Sequence, residues 1–376
     1  MPTVRLLPVA AERAGRIGTV LALAAVLVAA CGLGGGKDDS DDGDTGRSGG
    51  ATAAPAVAAP DRTRCPAGAA DVNQTTVATP DGDGASLRAP QEPFLVDPNS
   101  EAAQRAAAHP GEASTIAPLV QTPTAFPVGD WLTDVTGEVH ARAAAAQTAG
   151  ATAVFMIYAI PYRDVGLYSA GGLPDAAAYR TFTARVAAGI GGARAVIVLE
   201  PDALGQIDEL DAGKAAERYA LLRDAVDAYA ALPATSVYLD GANCGWTGAV
   251  DMAHRLAQAG VAHARGFALN VSNYYATADE AARGEVVSRL LGGAHYVIDT
   301  SRNGKGPAGG ISDPWCNPPG RGLGVKPTTN TGFPHADALL WIKTPGSSDG
   351  ECGRGNPEAG QWWPQAAAEL VHNAAG

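Results

Sequence analysis

Val196-Ile197-Val198-Leu199-Glu200-Pro201-Asp202-Ala203-Leu204 is the stretch whose reading decides the fold. Its first four residues are β-branched or aliphatic with no polar interruption, the pattern of a strand buried on both faces. Pro201 ends regular pairing, because proline has no N–H to give a ladder. Glu200 and Asp202 therefore fall directly where the strand stops. A buried strand that delivers a carboxylate at its C-terminal end is how a β/α barrel presents chemistry. Taken alone, Asp202 reads equally well as the cap of a following helix.

Outward from this run, short apolar segments alternate with alanine-rich amphipathic ones from about Pro93 onward, the rhythm of βα units. The pattern predicts strands at 130–132, 153–158, 195–199, 236–239, 266–269, 294–298 and 338–342. Helices are predicted at 138–147, 176–188, 214–230, 251–259, 279–291 and 364–373. Seven strands are one short of an eight-stranded barrel, and an open doubly wound sheet has the same rhythm. No Gly-rich phosphate loop follows any strand, which weighs against a nucleotide-binding fold.

The residues just past each predicted strand are polar in a consistent way. They are Tyr158 to Asp164, then Glu200 and Asp202, then Asp240, then Asn270 to Tyr274, then Asp299 to Asn303, and finally Lys343 with Asp349. Parallel strands would bring all of them to one rim. Carboxylates crowded together raise one another's pKa, so at least one stays protonated near neutral pH. A carboxylic acid facing a carboxylate across a cleft is the equipment for glycosidic bond hydrolysis. Trp131, Trp246 and Trp315 fall near the same rim, where flat rings can stack on sugar faces, whereas Trp341 lies in an apolar run and reads as core. The competing chemistries lack their spacing. There is no Asp-x-Asp-x-Asp-Gly calcium loop, no paired zinc histidines and no Gly-x-Ser-x-Gly elbow.

The chain has 376 residues, 46% of them hydrophobic, and a formal net charge of −12, which argues against a nucleic-acid partner. Residues 1–30 read as an export signal, with Arg5, Arg13 and Arg16 before the apolar run 17–30. It ends Val28-Ala29-Ala30-Cys31, a bacterial lipobox pattern that makes Cys31 the lipid-bearing residue of a cell-surface protein. An ordinary signal peptide and secretion remain the alternative. Residues 31–90, rich in Gly, Asp, Ala and Pro, bury too little apolar surface to order and read as a tether. Cys65 lies within it without an assignable partner. The domain proper is 91–376.

Six segments together resemble glycoside hydrolase family 6, the inverting cellulases. They are Tyr-(x)4-Arg-Asp at 158–164, Val-Leu-Glu-Pro-Asp at 198–202, Tyr-Leu-Asp-Gly at 238–241, Asn-Val-Ser-Asn-Tyr at 270–274, Ile-Asp-Thr-Ser-Arg-Asn-Gly at 298–304 and Trp-Ile-Lys-x-Pro-Gly at 341–346. The resemblance covers about residues 93–375. It implies a distorted parallel β/α barrel of about seven strands, TIM-like, with its cleft at their C-terminal ends. It implies Asp202 as general acid, Asp164 as the carboxylate that tunes the acid and orders water, and Asp349 as the proposed base. Asp240 becomes a supporting carboxylate, and Tyr158 presses on the distorted sugar. Trp131, Trp246, Asn270, Trp315 and Lys343 become sugar-holding residues. A β-1,4-glucan substrate, no metal or other cofactor, and a monomer follow from the same resemblance.

One family disulfide is implied at Cys316–Cys352, closing a loop worth roughly 4 kcal/mol. The other is absent, because Val165 and Leu210 occupy its positions. Cys244 then reads as a small buried free thiol. Asn243 stands where a histidine is usual, and Ser347 where a glutamate often helps hold sugar. The segments 304–315 and 350–361 are short where chain-end enzymes carry long roofing insertions, which favours an open cleft and internal cleavage. The departures support an alternative, a catalytically weak cell-surface protein that binds or remodels glucan.

Overall fold

The computed structural model describes Cys65, Val77 and residues 88–374. The export signal, Cys31 and most of the tether lie outside the described residues. Seven parallel strands form one sheet in strict chain order: β1 (Phe126–Gly129), β2 (Ala153–Tyr158), β3 (Ala195–Leu199), β4 (Thr235–Asp240), β5 (Gly266–Leu269), β6 (His295–Asp299) and β7 (Ala336–Leu340). Strict order with parallel pairing curls the sheet into an incomplete barrel. Its two edges exchange one backbone bond beyond the strands, from the Ala125 N–H to the Trp341 carbonyl at 2.8 Å.

Alternation along each strand sorts side chains into two cores. Val154, Val196, Val198, Tyr238, Ala268, Val297 and Leu340 fill the barrel interior. Phe155, Ile197, Leu199, Val237, Phe267 and Ile298 face the helices. Both faces of β3 are buried along its whole length, as its unbroken apolar run predicts. The helices α3 (Val135–Thr148), α4 (Ala176–Ile190), α5 (Ala212–Ala230), α6 (Ala249–Gln258) and α7 (Thr277–Leu290) cover the outside. Asp134, Asp175 and Asp211 cap the first three of these by accepting a backbone N–H of the first turn. Asp202 caps none of them, so that reading of it is excluded.

Four elements differ from expectation. The first strand is 126–129 rather than 130–132, because Pro127 disguises it; an edge strand tolerates a missing N–H. Trp131 consequently stands past the strand, on the rim. The last strand ends at Leu340, and Trp341, just beyond it, is buried with its indole N–H on the Val325 carbonyl at 3.0 Å. Two short helices escaped the sequence pattern: α1 (Glu101–Ala108), and α2 (Pro110–Val120), which opens on proline and holds Pro118. They pack with the last helix, α8 (Pro364–His372), on Trp341 through Ala102, Ile116, Leu119 and Leu370.

Cys316 is bonded to Cys352, as the resemblance implies. Cys244 is not a free thiol: it is bonded to Cys65 across a sequence separation of 179. Local composition around Cys65 is that of solvated chain, so nothing near it signals a partner. Val77 also packs on the domain core. Non-reducing peptide mapping should return Cys65 with Cys244 and Cys316 with Cys352. Cys65→Ser should cost about 2–5 kcal/mol of stability, read from denaturant unfolding. Recovery of Cys65 as a free thiol would overturn the pairing.

Candidate active site

Parallel strands end in N–H groups that lack partners, and buried carboxylates take them here. Glu200, at the end of β3, accepts from Ala159 N–H at 3.0 Å, from Ile160 N–H at 3.1 Å and from the Tyr179 hydroxyl at 2.9 Å. It thereby fixes the start of the loop that follows β2. Burial pushes its carboxyl up to about 7 against those hydrogen bonds. Asp240 ends β4, and its Oδ2 accepts the N–H groups of Asp202 and Ala242, each at 3.1 Å. Asp299 ends β6 and accepts from Ser272, Ser301, Ile342 and Lys343, which lie past β5, β6 and β7.

The same rim concentrates left-handed backbone. Glu200 and Asp202 flank Pro201 at φ 52° and 69°, and Asp164 and Val165 lie at 57° and 44°. Such conformations cost on the order of 1–2 kcal/mol for residues other than glycine, and more so for a β-branched one. Their gathering at strand ends is the pattern of strain held at a working site.

Asp202 is half-buried, and the Tyr158 hydroxyl donates to its Oδ2 at 3.3 Å. Its carboxyl is raised well above the usual carboxylate range, first by burial and then by the charges of Asp240 and Asp164. Asp240 is itself raised to about 7, mainly by burial, and its Oδ1 is buried without a partner among the described residues. Burial and mutual repulsion therefore push both carboxyls of this pair toward the protonated form. Asp164 is held differently, with Ser169 N–H on Oδ2 at 2.6 Å and the Gln206 amide on Oδ1 at 2.9 Å.

Asp349 is the electrostatic opposite. Burial alone would raise it, but Arg302 at 2.9 Å and Lys343 at 3.0 Å outweigh burial and bring it down to about 2. The Tyr274 hydroxyl and Asn317 N–H also donate to its Oδ2, at 3.2 and 3.0 Å. One rim therefore carries a carboxyl whose surroundings favour the proton and another whose surroundings disfavour it.

Two hollows meet at Asp164, Asp202, Asn273 and Trp315. One of about 540 Å³ contains Trp131, Tyr158, Lys343 and Asp349; the other, of about 270 Å³, contains Gln206, Asn243 and Trp246. Trp131 and Trp246 are 49% and 40% exposed, unusual for tryptophan unless the face is used. Each lies flat against a glycine. A Cβ on Gly129 would meet the Trp131 ring at 2.2 Å, and one on Gly205 would meet the Trp246 ring at 2.7 Å. Trp315 approaches Tyr168 with ring centroids 6.1 Å apart, so the loops after β2 and β6 face each other over the junction.

Of the ten cleft residues singled out in the sequence, eight line the two hollows; Asp240 lies buried behind Asp202, and Asn270 is also withdrawn. Asn270 is fully buried, and its amide bridges the carbonyls of Tyr275 and Asp299 and the Tyr275 N–H. It shapes the loop after β5 from beneath and does not reach the cleft. Sequence reading gave no role to Gln206, Arg163, Asp299 or Arg302. The last three sit inside quoted motifs, which was the available signal. Arg163 binds the Asp130 carboxylate and the carbonyls of Tyr158 and Ser169, fixing the strand-two loop from inside.

Comparison with known proteins now identifies this rim. The model of glycosyl hydrolases family 6 matches residues 89–374. Endoglucanase A of Cellulomonas fimi is 40% identical over 288 residues, covering 76% of this chain and 62% of that protein. Endoglucanase 1 of Streptomyces halstedii is 40% identical over 290 residues, covering 74% of this chain and 88% of its own. This chain thus spans less than two thirds of the first relative. Among solved structures, the endoglucanase Cel6 from Mycobacterium tuberculosis, in complex with methyl-cellobiosyl-4-deoxy-4-thio-β-D-cellobioside, superposes with a TM-score of 0.73 at 46% identity. That match covers 75% of this chain and 97% of the other. The catalytic core of the cellobiohydrolase Cel6A from Chaetomium thermophilum superposes with a TM-score of 0.64 at 26% identity, covering 75% and 96%. The curled parallel sheet superposes on those structures, and the chain belongs to glycosyl hydrolases family 6.

Proposed function

We propose that the chain is an exported, endo-acting, inverting β-1,4-glucanase with Asp202 as its general acid. The observation that carries this reading is the position and state of Asp202. It sits where two tryptophan-bearing hollows meet, and its surroundings favour the protonated form. A glucan lying through both hollows would place one glycosidic oxygen beside it. Asp202 gives its proton to that oxygen as the bond to C1 breaks. Water adds to C1 from the opposite face, with Asp164 ordering it. Asp349 is too weakly basic to take a proton directly in its present clamp. Its fixed negative charge instead supports the cationic transition state, and the attacking water's proton leaves through a relay of further water molecules to solvent. Tyr158 borders the distorted sugar.

Internal cleavage is favoured by the short segments 304–315 and 350–361 and by the endoglucanase relatives. Two disulfides suit an oxidising compartment outside the cytoplasm. Attachment through Cys31 fits the sequence, although Cys31 lies outside the described residues. The alternative, a glucan-binding protein with a degenerate site, gains from Asn243 and Ser347 alone. Incubation with carboxymethylcellulose or mixed-linkage glucan and assay of new reducing ends decides it. Binding without product would leave only the alternative.

Asp202→Asn should reduce glucan hydrolysis by about 100-fold or more, the usual worth of a general acid. Aryl glucosides that depart without protonation should suffer far less. Proton NMR of fresh product should show the α-anomer at the new reducing end; initial β-anomer would exclude inversion. The pH profile offers a second check. Asp240 raises Asp202, so Asp240→Asn should move the alkaline limb of kcat/KM to lower pH, since an acid of lower pKa loses its proton sooner. A limb that stays in place would separate Asp240 from the acid. For the platforms, Gly205→Ala should displace the Trp246 ring and raise KM by about tenfold with little change in melting temperature. An unchanged KM would show that Trp246 holds no sugar.

A further inference from the structure

We infer that Glu101, the first residue of α1, is a substrate-contacting carboxylate on the wall of the larger hollow. This rests on the glucanase reading above. Glu101 lies on a helix before the first strand, 30 positions ahead of Trp131, the next rim residue named above. Even so, it lines the larger hollow together with Trp131, Lys343 and Ser347.

Its placement is built rather than incidental. Ser100 caps α1 by accepting the Ala103 N–H, and Ala102 is buried in the cluster that docks α1 and α2 beside Trp341. The adjacent Glu101 is thereby held at the wall of the hollow. The Ser347 hydroxyl donates to Glu101 Oε2 at 3.0 Å. The carboxylate thus occupies space directly in front of the serine, where a longer acidic side chain from position 347 would project. The other oxygen, Oε1, has no hydrogen bond to any described residue.

Electrostatics restricts what it can bind. Burial raises its carboxyl, opposed by the Ser347 hydrogen bond and the nearby Lys343 charge. Lys343 is already in contact with Asp349 and with the Ser348 carbonyl, so Glu101 has a cation near but no ion pair of its own. An acceptor with one occupied oxygen and one unoccupied oxygen, beside an exposed indole face, suits a neutral donor-rich ligand. A sugar stacked on Trp131 presents hydroxyls at its edge, and one of these is the complement of Oε1. Ser347 then acts as a positioning residue that orients the carboxylate.

Steady-state kinetics on cellotetraose and cellopentaose tests the assignment. Glu101→Gln and Glu101→Ala should raise KM on the order of tenfold while kcat stays within about threefold, because a hydroxyl held away from the reacting centre contributes binding in both states. Glu101→Ala with Ser347→Glu should recover most of the affinity by supplying the carboxylate from the other segment. A purely structural role for Glu101 would instead lower the melting temperature and leave the double variant no better. In an Asp202→Asn background, calorimetric titration with cellotetraose should show the same ranking of affinities, whether or not the wild type turns over. Unchanged affinity in Glu101→Ala, or no recovery in the double variant, would overturn the proposal. Lack of hydrolysis by the wild type would overturn the glucanase reading, with the titration still reporting on Glu101.

Discussion

Buried carboxylates that accept strand-end N–H groups are the constraint on which the rest of the site depends. Glu200 joins the ends of β3 and β2, Asp240 joins β4 to the turn after β3, and Asp299 joins β6 to the turns after β5 and β7. A parallel sheet leaves these donors unsatisfied, and leaving a buried one unpaired costs about 1–3 kcal/mol. The bonds from Asp240 to Asp202 and Ala242 and from Asp299 to Ser272 also hold residues in the left-handed region. Asp202 is aimed into the cleft because Pro201 lies between two such residues, while its own N–H is tied to Asp240. The orientation of Asp202 is therefore a product of the hydrogen bonding that the rim's backbone requires.

The same carboxylates explain how one ridge supports opposite protonation states. Between β2 and β4 the rim is poor in facing cations: Arg163 is directed to Asp130 and to backbone carbonyls. Burial there outweighs the hydrogen bonds and the charges of Arg283 and Lys343 that oppose it, so Asp202 and Asp240 are both raised. Past β6 and β7, Arg302 and Lys343 both reach Asp349, so the same burial is outweighed. Environment, and not residue type, divides the roles.

Much of this was legible in the sequence, for a physical reason. Strands buried on both faces must be continuously apolar, so β2, β3 and β5 can be placed to the residue, and chemistry at their ends follows from direction alone. What escaped depends on contacts between distant segments. Pro127 hides β1 because a sheet edge excuses its missing N–H, a fact that only the assembled sheet supplies. Cys65 lies in chain of tether-like composition, and its bond to Cys244 is invisible to any local window. Asn270 looked like a sugar ligand because it shares a motif with cleft residues, whereas depth, which a motif does not encode, places it below the floor.

The gap in the barrel ties these omissions together. An eighth strand would pair with β1 and β7; here one backbone bond, Ala125 to Trp341, spans their edges. The space outside that seam is filled instead by α1, α2 and α8, packed on Trp341 through Ala102, Ile116, Leu119 and Leu370. A helix docked at a seam can project a residue over the rim, which a strand in register could not do without breaking its ladder. Glu101 reaches the hollow by this route, from a helix whose eight residues are too few to be stable alone. Its stability comes from the seam itself, so the incompleteness of the barrel and the chemistry of the cleft wall have the same origin.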